Sequence, residues 1–225
     1  MHTDIFLKKI LTLFVVSFTG IILCTAQPAA SGTINKATAD SISRGKEIAD
    51  SLKMERLSAL EQFPFIKGGK WSGVIPVDIQ SEIPDPKQDY KLLFEFNSKN
   101  PDSIATEINS GIDEVIRILN LHVASGIPPA RLFPVILVRG PGMEALMNNA
   151  AYRKKHGVDN PNLKVIEELV KKARARFIVC GQSMAFSEVK KEELLPEVKI
   201  SLTAKTVLSN YQLQGYVLYS IHQEK

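Results

Sequence analysis

Hydrophobic residues recur along this chain in two patterns, which alternate from residue 90 to the C-terminal end. Short apolar runs rich in β-branched and aromatic residues are typical of buried strands. Apolar residues at three- and four-residue spacing, found between these runs, are typical of helices that cover a sheet with one face. The alternation predicts an α/β fold with a mainly parallel five-stranded sheet. The predicted strands cover residues 92–96, 132–138, 177–179, 198–202 and 216–221.

Polar residues at the ends of the apolar stripes predict where the helices begin. The first helix is expected to start at 101–103, with Asp102 or Ser103 as its cap, and to stop at Gly126. Further helices are predicted over 143–155, from the Asn-Pro-Asn at 160–162 to Arg174, and over 203–214.

The chain before residue 90 has the composition of an arm and linker. A helix is predicted over 40–63, and three prolines within 71–89 favour an extended segment. Two interpretations stay open for 71–89: a plain linker, or a strap that packs Trp71 against the main domain or a neighbouring subunit. The predicted organisation is an arm over 27–89 and one α/β domain over 90–225.

The first 26 residues have the pattern of a signal peptide. Lys8 and Lys9 precede an apolar run over 10–23, and small residues before Gln27 predict a cleavage site there. A membrane anchor and a lipid on Cys24 are the alternatives, but the apolar run is interrupted and short for a spanning helix. We therefore expect a secreted or periplasmic protein with no stable membrane span after cleavage.

Charge and cysteine count narrow the function further. Cleavage would remove two lysines and one aspartate, and would lower the formal charge from +4 to +3. Such a mild, dispersed charge does not favour nucleic acid as a partner. Cleavage would also leave Cys180 as the one cysteine of a chain that has two, so it is inert, reactive or paired between chains.

Cys180 is the strongest candidate for chemistry. It ends a predicted strand, Gly181 permits a turn, and Gln182 and Ser183 lead into a predicted helix start. Ligands of open α/β sheets bind at this edge, and a helix N-terminus favours thiolate over thiol. Gln182 and Ser183 are candidate hydrogen-bond donors to the sulfur. The alternative is a buried cysteine that fills a strand end as a small hydrophobe.

A second candidate segment follows the predicted strand over 132–138. If that strand lies beside the Cys180 strand, the guanidinium of Arg139 would stabilise the thiolate and attract polysulfide or thiosulfate. The turn at Gly140 and Gly142 would cradle an anion, although it lacks the Lys-Ser/Thr of a nucleotide P-loop.

The sequence gives little support for a thioredoxin-type redox site, a metal site or a cysteine hydrolase. The chain has no C-x-x-C motif, and His156 and His222 are not spaced as metal ligands or as partners of a cysteine hydrolase. We therefore predict neither a metal nor a cofactor.

Several short motifs are distributed along the segment from Tyr90 onward. They are YKLLFEF at Tyr90, GPG at Gly140, AY at Ala151, NPN at Asn160, CGQS at Cys180, LLP at Leu194 and QGY at Gln214. Through these motifs the segment resembles the DsrE/DsrF-like family, and is most similar to a secreted branch of it. That resemblance implies a three-layer α/β/α fold assembled as trimers or hexamers. In the sulfur-relay members it also implies a cysteine that carries sulfane sulfur as a persulfide, and Cys180 stands at that cysteine's position.

Two hypotheses for function follow. In the first, Cys180 accepts sulfur from a small sulfur-containing donor and passes it to a protein acceptor. In the second, the protein is a non-catalytic oligomeric module of the cell envelope that binds a small anion or a partner, and Cys180 only lines the crevice.

Overall fold

The computed structural model describes residues 36–221, which contain six helices and five strands. The helices are α1 (Lys36–Leu60), α2 (Ser110–Ala124), α3 (Asn149–His156), α4 (Leu163–Ala173), α5 (Gly181–Phe186) and α6 (Ala204–Leu213). The strands are β1 (Tyr90–Phe96), β2 (Leu132–Val138), β3 (Arg176–Cys180), β4 (Lys199–Ser201) and β5 (Val217–Ile221).

The five strands form one sheet in the order β4-β3-β2-β1-β5, and every pair is parallel. This confirms the predicted fold class. Parallel neighbours need helical crossovers, which cover both faces and bury the central strands. β2 accordingly reads as a continuous apolar run, and its predicted bounds match the observed ones.

Helices lie on both faces of the sheet, so the fold has three layers. The larger core packs α2 and α4 against one face, through residues such as Ile116 and Leu169. The smaller core packs Ala204 and Val207 of α6 against the other face. Cys180 belongs to this smaller core.

The predicted start of α2 is wrong. Residues Asp102–Ile104 form a single 3-10 turn, and α2 begins only at Ser110. Its cap is Asn109, whose side-chain oxygen accepts a hydrogen bond from the Gly111 N–H at 2.9 Å. Asp102 and Ser103 had suitable side chains for a cap, but the side chain that accepts from the first turn is Asn109.

The next two helices also depart from the prediction. Residues Gly140–Leu146 form a 3-10 segment, and α3 starts after it with Asn148 as cap, so no single helix covers 143–155. Asn162 precedes α4 without a side-chain capping bond, because its oxygen accepts from the Asn109 N–H at 2.7 Å instead. α4 ends at Ala173, and Arg174 has the left-handed φ of 54°.

The chain divides into two units, with the boundary after Glu47 inside α1. The described part of the first unit is the N-terminal half of α1, where residues 39–47 are exposed. The second unit begins at Ile48 and contains the whole sheet.

Residues 61–74 pack on α2, and we use the name strap for this segment from here on; it shares only 71–74 with the predicted segment 71–89. Its ends meet in an antiparallel bridge between Gln62 and Val74, and Ile66 enters the larger core. The fully buried Asn120 of α2 accepts from the N–H groups of Phe65 and Ile66, at 3.1 and 3.0 Å. It donates to two strap carbonyls, each at 2.7 Å. The strap therefore packs through Ile66, whereas the Trp71 side chain stays 45% exposed.

Several sequence predictions lie outside the described residues. These are the signal peptide over 1–26, the lipid alternative at Cys24, the arm over 27–35, and His222. Within residues 36–221, no helix combines the length and hydropathy needed to span a bilayer.

Candidate functional site

Cys180 is the last residue of β3, and α5 begins at the next residue. The thiol thus lies at the carboxyl edge of the parallel sheet, where α/β folds bind their ligands. Cys180 is only 4% exposed, so the sulfur is screened from bulk water.

The Ala204 N–H donates a hydrogen bond to this sulfur, at 3.2 Å from Sγ. Burial raises the pKa of the Cys180 thiol, but the hydroxyl and N–H of Ser183, the N–H of Ala204 and the N–H of Gln182 together lower the pKa by more. The net pKa is below the ordinary value of a cysteine, which favours the thiolate.

Close packing of the β4–α6 loop brings Ala204 to the sulfur. A Cβ on Gly181 would lie 2.6 Å from the Ser201 carbonyl oxygen, so only glycine permits this approach. The Gln182 N–H donates to the Leu202 carbonyl at 3.2 Å, and the Ser201 hydroxyl donates to the Val179 carbonyl at 3.1 Å. Sγ therefore lies where two helices, α5 and α6, begin.

Arg139 follows β2, and β2 pairs with β3, so these two strands are neighbours as the prediction required. Its guanidinium, however, forms an ion pair with Glu95, at 2.5 Å from Nε to Oε1. Glu95 belongs to β1, on the side of β2 opposite to β3, and Ser220 of β5 donates to its other oxygen at 3.4 Å. The positive charge of Arg139 is therefore compensated within the sheet edge.

The Gly140–Gly142 turn packs against the end of β1. Gly140 has a left-handed φ of 52°, which glycine adopts readily. The Gly142 N–H donates to the Asn97 carbonyl at 3.1 Å. The Gly142 N–H is therefore already paired within the protein. The conformation of the turn depends mainly on this contact with the end of β1.

The structure thus brings together Cys180, Gly181, Gln182 and Ser183, which are adjacent in sequence. Two contributors were missed: the Ala204 N–H and the Glu95 carboxylate. A signal existed for each, since a helix start was predicted at 203 and Glu95 is the one acidic residue within the apolar β1. Across residues 36–221, no group of three or more His, Cys, Asp or Glu is arranged to hold a metal ion.

Comparison with known proteins gives one family match. Residues 133–219, from β2 into β5 and including Cys180, match the model of the DsrE/DsrF-like family. No curated protein matches the chain. One similar solved structure is a protein of unknown function from Methanobacterium thermoautotrophicum, with 14% identity and a TM-score of 0.40. The match covers 59% of this chain and 100% of that one.

Proposed function

Since residues 133–219 match the model of the DsrE/DsrF-like family, we propose that the protein is an exported, oligomeric sulfur carrier whose Cys180 holds sulfane sulfur as a persulfide. The observation that supports this most is the position of Sγ at the start of α5 and α6, where the Ala204 N–H donates to it at 3.2 Å and the neighbouring polar groups lower its pKa. A carrier needs a thiolate near neutral pH, because the thiolate is the nucleophile.

The transfer balances without an external oxidant or reductant. The Cys180 thiolate attacks the outer sulfur of a donor R–S–SH and forms a new S–S bond. The donor's own S–S bond breaks, and its electron pair leaves with the thiolate R–S⁻. An acceptor thiolate then attacks the outer sulfur of the Cys180 persulfide and restores the Cys180 thiolate.

The surrounding residues have distinct roles in this proposal. The N–H groups of Gln182 and Ser183 stabilise the sulfur anion before and after transfer. Gly181 lets the β4–α6 loop approach, so that Ala204 adds another donor. Arg139, Gly140 and Gly142 follow the neighbouring strand β2 and form the adjoining part of the edge. A polysulfide or thiosulfate donor that lies there would share Arg139 with Glu95.

The absence of a neighbouring thiol suits a carrier. Within the described residues Cys180 is the free cysteine, and the chain's other cysteine is Cys24, inside the proposed signal peptide. A second thiol beside a persulfide would displace its outer sulfur and form a disulfide. With no second thiol among the described residues, the persulfide persists until an acceptor arrives.

The second candidate is a non-catalytic binding module at the same edge. The observation that favours it is the burial of the Cys180 side chain. Free cysteines are often buried as small hydrophobic residues without chemistry.

One experiment separates the two. The full chain with Cys24→Ser, in which Cys180 is the remaining thiol, is incubated with polysulfide, treated with a thiol-blocking reagent and measured by intact mass. We expect an added sulfur on this protein and none after a further Cys180→Ala substitution. A folded protein that acquires no sulfur, yet melts at a higher temperature with thiosulfate, would establish the binding module instead.

A further inference from the structure

A second concave site lies away from Cys180, at the other side of the sheet. It is a cavity of about 760 Å³ between the strap, the N-terminal half of α2 and the end of β5. Small-molecule pockets commonly have volumes of roughly 300–1,000 Å³. Its size therefore suits a small organic ligand.

Two aromatic side chains, Trp71 and Tyr219, line the cavity. Trp71 stays 45% exposed, and its backbone is anchored because its N–H donates to the buried Asp113 carboxylate at 3.2 Å. Tyr219 stacks on Phe94 with ring centroids 5.4 Å apart. An accessible ring such as that of Trp71 binds flat molecules by stacking.

One polar atom of the cavity has no partner. The Ser98 hydroxyl oxygen is buried and makes no hydrogen bond with any residue that the structure describes. An unsatisfied buried hydroxyl costs free energy, so a rotation of the Ser98 side chain that turns the hydroxyl from its buried position to a ligand in the cavity would be favoured.

The charges of the lining disfavour an anion. Arg117 is the cation among the lining residues, and Glu114 already holds it through two hydrogen bonds of 2.6 Å. Asp113 adds a further carboxylate. The Lys70 ammonium lies 5.1 Å from the Trp71 ring centroid, so a cationic ligand would compete with it. A neutral ligand remains the best match.

We propose that this cavity binds a neutral, flat heteroaromatic molecule of nucleobase size, which stacks on Trp71 and hydrogen-bonds to Ser98. This site is independent of the sulfur carrier proposed above. Its ligand differs in charge from a polysulfide or thiosulfate, and none of its lining residues contributes a donor to Cys180.

Trp71 supplies the measurement, because it is the single tryptophan of the chain. We expect adenosine to change its fluorescence saturably, with calorimetry giving the same dissociation constant. AMP, which has the same base with a phosphate, should bind about three-fold more weakly at low salt, since the carboxylates repel it. Cys180→Ala should bind adenosine as the wild type does.

Ser98→Ala should weaken adenosine binding about five-fold, the effect of one lost hydrogen bond. The matched control is Ser209→Ala on the exposed face of α6, which should leave binding unchanged. Three results would each overturn the proposal: no saturable response to adenosine, equal affinity of wild type and Ser98→Ala, or tighter binding of AMP than of adenosine.

Discussion

Two buried acidic groups of this protein, Cys180 and Asp113, accept hydrogen bonds from backbone N–H groups but shift in opposite directions. Cys180 is 4% exposed and has a lowered pKa. Asp113 is 8% exposed and has a raised pKa. Burial alone therefore does not set the charge of a group, because hydrogen bonds and neighbouring charges decide the outcome.

Burial is the largest single cause at both places. At Asp113 it raises the pKa, and the N–H groups of Trp71 and Gly69 lower it only in part, while the adjacent Glu114 carboxylate raises it again. At Cys180 the Ser183 hydroxyl and three N–H groups together outweigh burial. The two regions accordingly have different roles: the β3 edge favours an anion, and the Asp113 carboxylate of α2 holds the strap in place.

The largest effect should come from the strap region. Asn120→Ala would leave two N–H groups and two carbonyls of the strap without partners in a buried site. We expect a loss of about 2–4 kcal/mol in the free energy of unfolding, measured by urea denaturation. The exposed Asn210→Ala is the matched control.

The same variant tests whether the two regions are independent. Cys180 alkylation by iodoacetamide should keep its wild-type rate in Asn120→Ala while the protein is folded. A large change in that rate would show that the strap influences the Cys180 site, and would contradict the independence of the two regions.

A smaller effect is expected at the thiol. Ser183→Ala removes the hydroxyl that contributes most to lowering the pKa of Cys180, and should slow iodoacetamide alkylation at neutral pH about five-fold, since less thiolate is present. Ser187→Ala, just after α5, is the control and should react as the wild type does. An unchanged rate in Ser183→Ala would mean that the N–H groups alone hold the anion.

The smallest effects are the slopes of stability with pH, which should have opposite signs. Asp113 has a raised pKa in the folded state, so the folded protein binds more protons than the unfolded chain above pH ~3.9, the ordinary aspartate value. Wild-type stability should therefore fall relative to Asp113→Asn as pH rises through this window.

Cys180 should behave in the reverse way. Because its folded-state pKa is lowered, wild-type stability should rise relative to Cys180→Ala as pH approaches ~8.5, the ordinary cysteine value, and should be lost as pH falls through the lowered pKa. Urea denaturation across pH measures both slopes. Slopes of equal sign would contradict the opposite shifts described above.

Local sequence was a good guide to the strands and a weaker one to helix starts. β2 could be bounded to the residue because its apolar run is long and covered on both faces. The cap of α2 could not, because Asp102, Ser103 and Asn109 all have suitable side chains and only packing selects among them. Asn162 shows the same effect, because its side-chain oxygen accepts a hydrogen bond from the Asn109 N–H rather than from an N–H of its own helix, α4.

The sequence by itself determined the order of strands and helices, the parallel sheet and the position of Cys180 at a strand end. These features depend on hydrophobic period and turn chemistry, which are local. Tertiary structure alone decided that Ala204 donates to the thiol, that Glu95 compensates Arg139, and that Asn120 and Asp113 hold the strap. Such contacts join residues far apart in the chain, and only the packing of the helices on the sheet brings them within hydrogen-bond distance.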